Sequence, residues 1–226
     1  MYKLSPSKAH RYLQCTKSLE YDTEFVETPW TIRGNILHEF GERKLLEKET
    51  YLFEIENNFN DYEKFLINSY VQAVMSEYNL IQADTMQVEE KEPIQIYGNK
   101  INLIIDVLLL GKKIASIIDL KTGNNDISPK DNEQLLFYAY SVLMKHPQVE
   151  IFRLSIFQKG KLKTEVVTRE QVYDFFIDKF EVFDAISKNE LTYNPSEKAC
   201  KYCAFKDKCV ARANWIIGGK DDWEKI

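Results

Sequence analysis

The stretch that most limits what this chain can fold into is Ile101–Gln134, INLIIDVLLLGKKIASIIDLKTGNNDISPKDNEQ. Two runs rich in Ile, Leu and Val flank the polar turn Gly111-Lys112-Lys113, a pattern that predicts two buried antiparallel strands of a hairpin. Asp106 stands inside the first run and Asp119 near the end of the second. A buried carboxylate with neither partner nor cation is costly, so each needs a physical reason. Asp119 and Lys121 are two residues apart and share one strand face. Two carboxylates and an ammonium converging on one point describe a divalent-cation site with a lysine at its edge. An ion pair at a sheet edge is the other reading of Asp119-x-Lys121. Asp106, surrounded by apolar neighbours, fits that reading less well.

Composition sets wide bounds. A chain of 226 residues can bury one sizeable core, and the whole length 1–226 reads as a single domain. No apolar run approaches the roughly 18 to 20 residues of a membrane span. The segment MYKLSPSKAHRYLQC has no apolar signal-peptide core, which predicts a cytoplasmic protein with no membrane partner. The net charge of −5 argues mildly against nucleic acid, but binding depends on where the basic residues cluster, and Lys198 to Arg212 is basic.

Taken in order, Ser5-Pro6-Ser7 opens a first helix with Cys15 at its end. After Thr28-Pro29-Trp30 a second helix is predicted over 31–49, with Ile36, Leu37 and Phe40 on its core face and His38 and Glu42 one turn apart. A single histidine on a helix is ordinarily a surface or core residue. Residues 51–60 read as a loop or a short helical turn, 61–78 as an amphipathic helix, and 88–96 as a strand that Pro93 places at a sheet edge. Tyr97-Gly98-Asn99 is a hairpin turn. Gln134 and Tyr138 share one face of a helix over 133–143. A hairpin over 151–167 follows, and then one long helix from Arg169 to about Lys188, capped by Thr168. This order predicts an α/β or α+β chain.

All four cysteines are Cys15, Cys200, Cys203 and Cys209. In a cytosolic setting, three clustered cysteines and a distant fourth point to metal or cluster ligation rather than disulfides. Four thiolates suit tetrahedral zinc or an iron–sulfur cluster, and free buried thiols are a third reading. If all four meet, they tie the first helix to the C-terminal segment.

His38, Asp106, Asp119-x-Lys121 and Gln134-x3-Tyr138 stand in an order that resembles the RecB-like branch of the PD-(D/E)xK nuclease superfamily. Cys15 with Cys200, Cys203 and Cys209 is similar to that branch's iron–sulfur subgroup, which includes AddB-type helicase-nucleases and CRISPR-associated exonucleases. The likeness spans Cys15 to Cys209 and lacks any helicase segment. Two departures stand out: Ile105 rather than Pro precedes Asp106, and Asp119 replaces the more usual Glu.

The resemblance implies a restriction-endonuclease-like α/β fold, a central mixed sheet flanked by helices. Its parts would be an N-terminal helix in 1–30, a nuclease core over 31–190 and a cluster segment over 191–226. It implies a metal-dependent deoxyribonuclease, an exonuclease on single-stranded DNA or DNA ends in recombination, repair or phage DNA processing. A recombination or CRISPR-adaptation protein would be a partner. Mg²⁺ or Mn²⁺ would sit on His38, Asp106, Asp119 and the Leu120 carbonyl. Lys121 would act on the attacking water, Gln134 and Tyr138 would hold Lys121 or DNA, and Glu42 would support the imidazole. The cysteines would hold a [4Fe–4S] cluster, with Zn²⁺ as the alternative. Lys198, Lys201, Lys206, Lys208 and Arg212 would contact phosphates, and Tyr202 or Phe205 would stack on a base; a solvated basic face is the plain reading of that patch. Two other functions stay open: a catalytically inactive DNA-binding or protein-interaction module, and a Cys₄ zinc structural protein.

Overall fold

A computed structural model describes residues 2–22 and 27–218. The helices are α1 (Ala9–Tyr12), α2 (Pro29–Leu45), α3 (Tyr51–Asn57), α4 (Asp61–Leu80), α5 (Glu133–Lys145), α6 (Arg169–Asp178), α7 (Phe180–Lys188), α8 (Glu197–Cys200) and α9 (Val210–Ile216). The strands are β1 (Thr85–Ile96), β2 (Asn99–Leu110), β3 (Ile114–Lys121), β4 (Ile151–Gln158) and β5 (Lys161–Thr168). They form one sheet in the order β1-β2-β3-β4-β5. β2 and β3 pair antiparallel, β3 and β4 parallel, and β4 and β5 antiparallel, so the sheet is mixed. The parallel pair is joined through α5, as a crossover between parallel strands requires. The chain is α/β, a mixed sheet flanked by helices. No described helix is long and apolar enough to cross a membrane.

The turn between β1 and β2 follows from Tyr97 and Gly98, which both have positive φ (46° and 79°), as a two-residue hairpin of the primed type needs. Pro93 falls in β1, which is an edge strand, the place in a sheet where proline is found.

The chain divides into two compact units. One comprises residues 26–92 and 103–173. Its core packs Leu37 and Phe40 of α2 and Leu66, Ile67, Tyr70 and Val74 of α4 against Val107, Leu109, Ile118, Leu120 and Phe157 of the sheet. Asp119 and Lys121 alternate with Ile118 and Leu120, so they face the other side, where α5 lies. Gly41 lets α2 approach α4: a Cβ there would meet the Tyr70 ring at 3.2 Å. Within this unit Glu77 of α4 is buried and takes both Arg153 Nε and Nη2 and the Ser116 hydroxyl (3.0 Å).

The other unit gathers residues 1–25, 93–102 and 174–226. Its N- and C-terminal segments are laced together. The Lys17 amide donates to the Thr192 carbonyl at 3.0 Å, the Thr192 amide to Thr16 Oγ1 at 2.8 Å, and Ser196 Oγ to Gln14 Oε1 at 2.6 Å. These hydrogen bonds join residues 14–17 to residues 192–196 without involving a cysteine.

Two local expectations are revised and a third is narrowed to one of its alternatives. The first helix is a 3-10 turn (Pro6–Lys8) running into α1, and Cys15 lies beyond its end, where it precedes a second 3-10 turn (Thr16–Tyr21). Residues 51–57 are helical, with Asn58 closing α3 in the left-handed region (φ 46°). The long terminal helix is two: at Lys179 the amide reaches back only three residues, to the Phe176 carbonyl. That step accompanies the burial of both Phe176 and Phe183, whose ring centroids lie 6.4 Å apart.

Candidate functional site

β2 and β3 are paired from Val107↔Ile118 to Leu110↔Ala115, and the ladder stops one residue short of Asp106 and Asp119. The strands part there. The Leu120 amide donates instead to Asp106 Oδ2 at 2.7 Å, which fixes the first carboxylate beside the second strand. Such a charge-assisted bond is about twice as strong as a neutral one.

Asp119 is buried, with 2% of its surface exposed. Its Oδ1 accepts from Gln134 Nε2 at 2.9 Å. Its Oδ2 lies 2.7 Å from Lys121 Nζ but receives no hydrogen bond of acceptable angle, leaving an orphaned buried oxygen. Lys121 Nζ donates to Gln134 Oε1 at 3.1 Å, and Gln134 Nε2 reaches the Tyr138 hydroxyl at 2.7 Å. Residues 134 and 138 stand one turn apart on α5, so a single glutamine holds the aspartate, the lysine and the tyrosine together. Burial pushes the Asp119 carboxyl up to about 6; Lys121 pulls the other way and the Asp106 charge adds to burial. Burial and the Asp119 charge raise the Tyr138 hydroxyl well above its ordinary value.

His38 enters from α2. The helix starts at a capping box in which Thr28 Oγ1 accepts from the Thr31 amide, with Pro29 at the first position. Gly34, one turn before His38, approaches the end of β3 so closely that a Cβ would lie 3.2 Å from Thr122 Oγ1. His38 Nδ1 thereby comes to 3.4 Å from Asp106 Oδ2. Burial opposes a charge on this ring, but the Asp106 contact and the Asp106 and Asp119 charges outweigh it, so its pKa is raised. The carboxylate beside the imidazole is therefore Asp106 rather than Glu42. Glu42 pairs with Lys48 at 2.7 Å, because the turn after α2 brings that lysine back over the helix end.

The site also contains a residue that the sequence did not offer. Glu89 of β1 has a ligand oxygen that, with atoms of His38 and Asp106, forms a group lying within 4.8 Å of one another. Glu89 has a φ of 55°, in the left-handed region, in the middle of a strand. For a non-glycine residue that conformation costs about 1 to 3 kcal/mol, and such residues cluster at functional sites. Burial, followed by the Asp106 charge, pushes the Glu89 carboxyl up to about 7. A motif spaced along one strand carries no signal for this residue; the nearest hint was an acidic run, Glu89-Glu90-Lys91-Glu92, in a segment alternating only weakly. The residues fit a hard divalent cation: carboxylate oxygens, one of them orphaned, an imidazole, and the Leu120 main chain beside them.

In the other unit Cys15, Cys200, Cys203 and Cys209 line one pocket, and none is in a disulfide. The Asn194 amide donates to Cys15 Sγ and the Arg212 amide to Cys209 Sγ, each at 3.4 Å, as metal-binding thiolates commonly receive. Burial raises the pKa of Cys15 and Cys200. Tetrahedral zinc, with Zn–S near 2.3 Å, holds its sulfurs about 3.8 Å apart. Among the described residues, no three cysteine sulfurs form a group within 4.8 Å of one another.

The basic residues near this pocket are partly engaged. Lys201 Nζ lies over the Tyr202 ring at 5.2 Å, Lys206 Nζ donates to the Lys201 carbonyl at 3.3 Å, and Arg212 Nη1 to the Lys206 carbonyl at 3.1 Å. Lys198, Lys208 and Tyr202 are exposed. Phe205 is stacked on Tyr21 with centroids 3.9 Å apart, so one ring face is already covered.

Two solved structures are similar to this chain. One, provisionally named an exonuclease, is from Eubacterium rectale; it is 12% identical, with 87% of this chain and 85% of that chain covered, at a TM-score of 0.47. The other, called SSO0001, is 17% identical, with 89% and 95% covered, at a TM-score of 0.38. A family model described as "Protein of unknown function (DUF2800)" matches residues 2–222, and the chain belongs to that family.

Proposed function

We propose that this chain is a metal-dependent deoxyribonuclease of the RecB-like PD-(D/E)xK type, hydrolysing phosphodiester bonds of single-stranded DNA or DNA ends. The observation that carries the reading is the meeting of His38, Asp106, Asp119, Lys121, Gln134 and Tyr138 where β2 and β3 part. His38, Asp106, Asp119 and the Leu120 carbonyl are the residues that would hold the ion. When bound, Mg²⁺ or Mn²⁺ supplies the charge that polarises the phosphate and acidifies a water. Lys121 carries its ammonium beside Asp119, where it orients the attacking water and offsets negative charge growing on the phosphate. Gln134 fixes the direction of that ammonium, and the Tyr138 hydroxyl fixes Gln134. The thiolates of Cys15, Cys200, Cys203 and Cys209 would hold a [4Fe–4S] cluster that joins the terminal segments. Lys198, Lys201, Lys206, Lys208 and Arg212 would meet phosphates, with Tyr202 as the base-stacking ring. Recombination, repair and phage DNA processing are the settings this chemistry serves.

The test is digestion of end-labelled single- and double-stranded DNA with Mn²⁺ or Mg²⁺, comparing the wild type with Lys121→Ala. Metal-dependent cleavage that disappears in the variant is expected, and the product ladder gives polarity. If anaerobically prepared wild type with its cysteine site loaded is inert on both substrates, the binding-module reading replaces this one.

A further inference from the structure

We propose that the Ser18 hydroxyl is a hydrogen-bond donor to a sulfur of the iron–sulfur cluster held by Cys15, Cys200, Cys203 and Cys209. The inference rests on the four-cysteine part of the proposed function and gives a role to a residue outside the cysteine motif.

Ser18 stands in the 3-10 turn Thr16–Tyr21 that follows Cys15, and its amide donates to the Cys15 carbonyl at 3.0 Å. It lines the same pocket as the four cysteines. Only 3% of its surface is exposed, and among the described residues its Oγ is buried with no hydrogen-bond partner. A buried hydroxyl left unmatched is costly, so a group from outside the chain is the expected counterpart.

The other polar side chains of the pocket are engaged. The Tyr21 and Tyr193 hydroxyls bond to each other at 2.7 Å, and Lys206 Nζ donates to the Lys201 carbonyl at 3.3 Å. Apart from the cysteines, the rest of the lining is apolar. A buried water needs about two to four polar partners. Beyond Ser18, this wall offers it thiol sulfur, a weak partner, and tyrosine oxygens already in a bond.

A cluster suits the hydroxyl better. Its sulfurs carry negative charge, so an O–H aimed at one makes a charge-assisted bond. Main-chain donors already serve two of the thiols, the Asn194 amide at Cys15 and the Arg212 amide at Cys209. Burial raises the Cys15 thiol pKa and the Asn194 and Ser18 amides oppose it, which places Ser18 beside that sulfur. Ser18 thus adds a side-chain donor to a set otherwise built from amides. One-electron reduction adds negative charge to the cluster, so the reduced form gains more from the donor. Hydrogen bonds to the sulfurs are among the determinants of such a potential, and Ser18 raises it.

The test is film voltammetry on the anaerobically prepared full chain with its cluster, comparing wild type, Ser18→Ala and Ser18→Thr. Resonance Raman spectra of the oxidised cluster in H₂O and D₂O give a second readout, and thermal unfolding checks each fold. Ser18→Ala is expected to shift the redox equilibrium about tenfold toward the oxidised form, about 59 mV lower for one electron. Ser18→Thr, which keeps the hydroxyl, should stay near the wild type. In Ser18→Ala the D₂O shift of the iron–sulfur stretching bands should shrink, because one exchangeable proton has gone; this readout decides if the electrode reduces no cluster. Cluster loss from Ser18→Ala alone, with Ser18→Thr loaded, also supports the donor. A wild-type potential and D₂O shift in Ser18→Ala overturn it, as does cluster loss from both variants. A wild type that takes up no cluster removes this proposal and the cluster reading together, while DNA cleavage by the same preparation decides the nuclease reading separately.

Discussion

The Lys121 ammonium lies 2.7 Å from the Asp119 carboxylate two residues earlier on the same strand, and Gln134 bonds to both. The amide thus bridges the pair, with its oxygen on the cation and its nitrogen on the anion, and fixes the direction of a contact the two charges already make.

Gln134→Ala is therefore expected to lower kcat about 10- to 100-fold, the range for losing a supporting contact, with KM for DNA changed far less. Steady-state kinetics on a labelled oligonucleotide separates the two. A variant that changed only KM would mean that Gln134 touches DNA rather than positioning Lys121.

The Glu77–Arg153 pair is a stability element remote in sequence from the motif residues. Removing Arg153 leaves a buried carboxylate with only the Ser116 hydroxyl, and breaking such a pair costs about 3 to 5 kcal/mol. Arg153→Ala should lower the urea midpoint strongly. The double variant Glu77→Gln/Arg153→Met should recover much of that loss. Equal midpoints for Arg153→Ala and wild type would show that the pair contributes nothing net.

Stability of the metal-free protein should depend on pH with a definite sign. Asp119 and Glu89 keep their protons to about 6 and about 7 when folded, through burial first, whereas an unfolded chain releases them near 4. Between those values the folded state binds more protons, so stability falls as pH rises. The decline from Asp119 should be about 2 kcal/mol between pH 4 and 7, with less from the partly exposed Glu89. Urea unfolding of wild type and Asp119→Asn over this range checks it: the variant's curve should be flatter. Adding Mn²⁺ should reverse the trend, because the ion requires the deprotonated carboxylates. Parallel curves for the two proteins would refute the assignment.

Anaerobic purification should give a brown protein with about four iron and four sulfide per chain, as a cubane bound by four cysteines requires. Cys203→Ser should lose the visible absorption and lower the melting temperature of the loaded protein. One zinc and no iron, under those conditions, would return the site to the tetrahedral alternative.

Much of the first unit's site was legible because its signals are short in range. Asp119 and Lys121 share a face through strand alternation, Gln134 and Tyr138 through the helical turn, and Pro93 marks an edge strand. Glu89 was not, since its place depends on one backbone torsion rather than on a spacing. Glu77 and Arg153 are separated by 76 residues and bear no motif. Glu42 shows a related limit: helical spacing puts it one turn from His38, whereas the turn after α2 supplies the partner it pairs with, Lys48. The break at Lys179 has neither Gly nor Pro to announce it.

The lacing of Thr16 to Thr192 has a consequence for birth on the ribosome. The two residues are 176 positions apart, which at about 5 to 20 residues per second is roughly 10 to 35 s of synthesis. Throughout that interval the N-terminal segment is tethered to nothing it will finally touch at Thr192, and Cys15 waits as a lone nascent-chain thiol. Residues 26–173, by contrast, contain all the core-forming contacts of their own unit and can collapse while translation continues. Vectorial synthesis thus favours closing residues 26–173 first and delivering the cysteine pocket last.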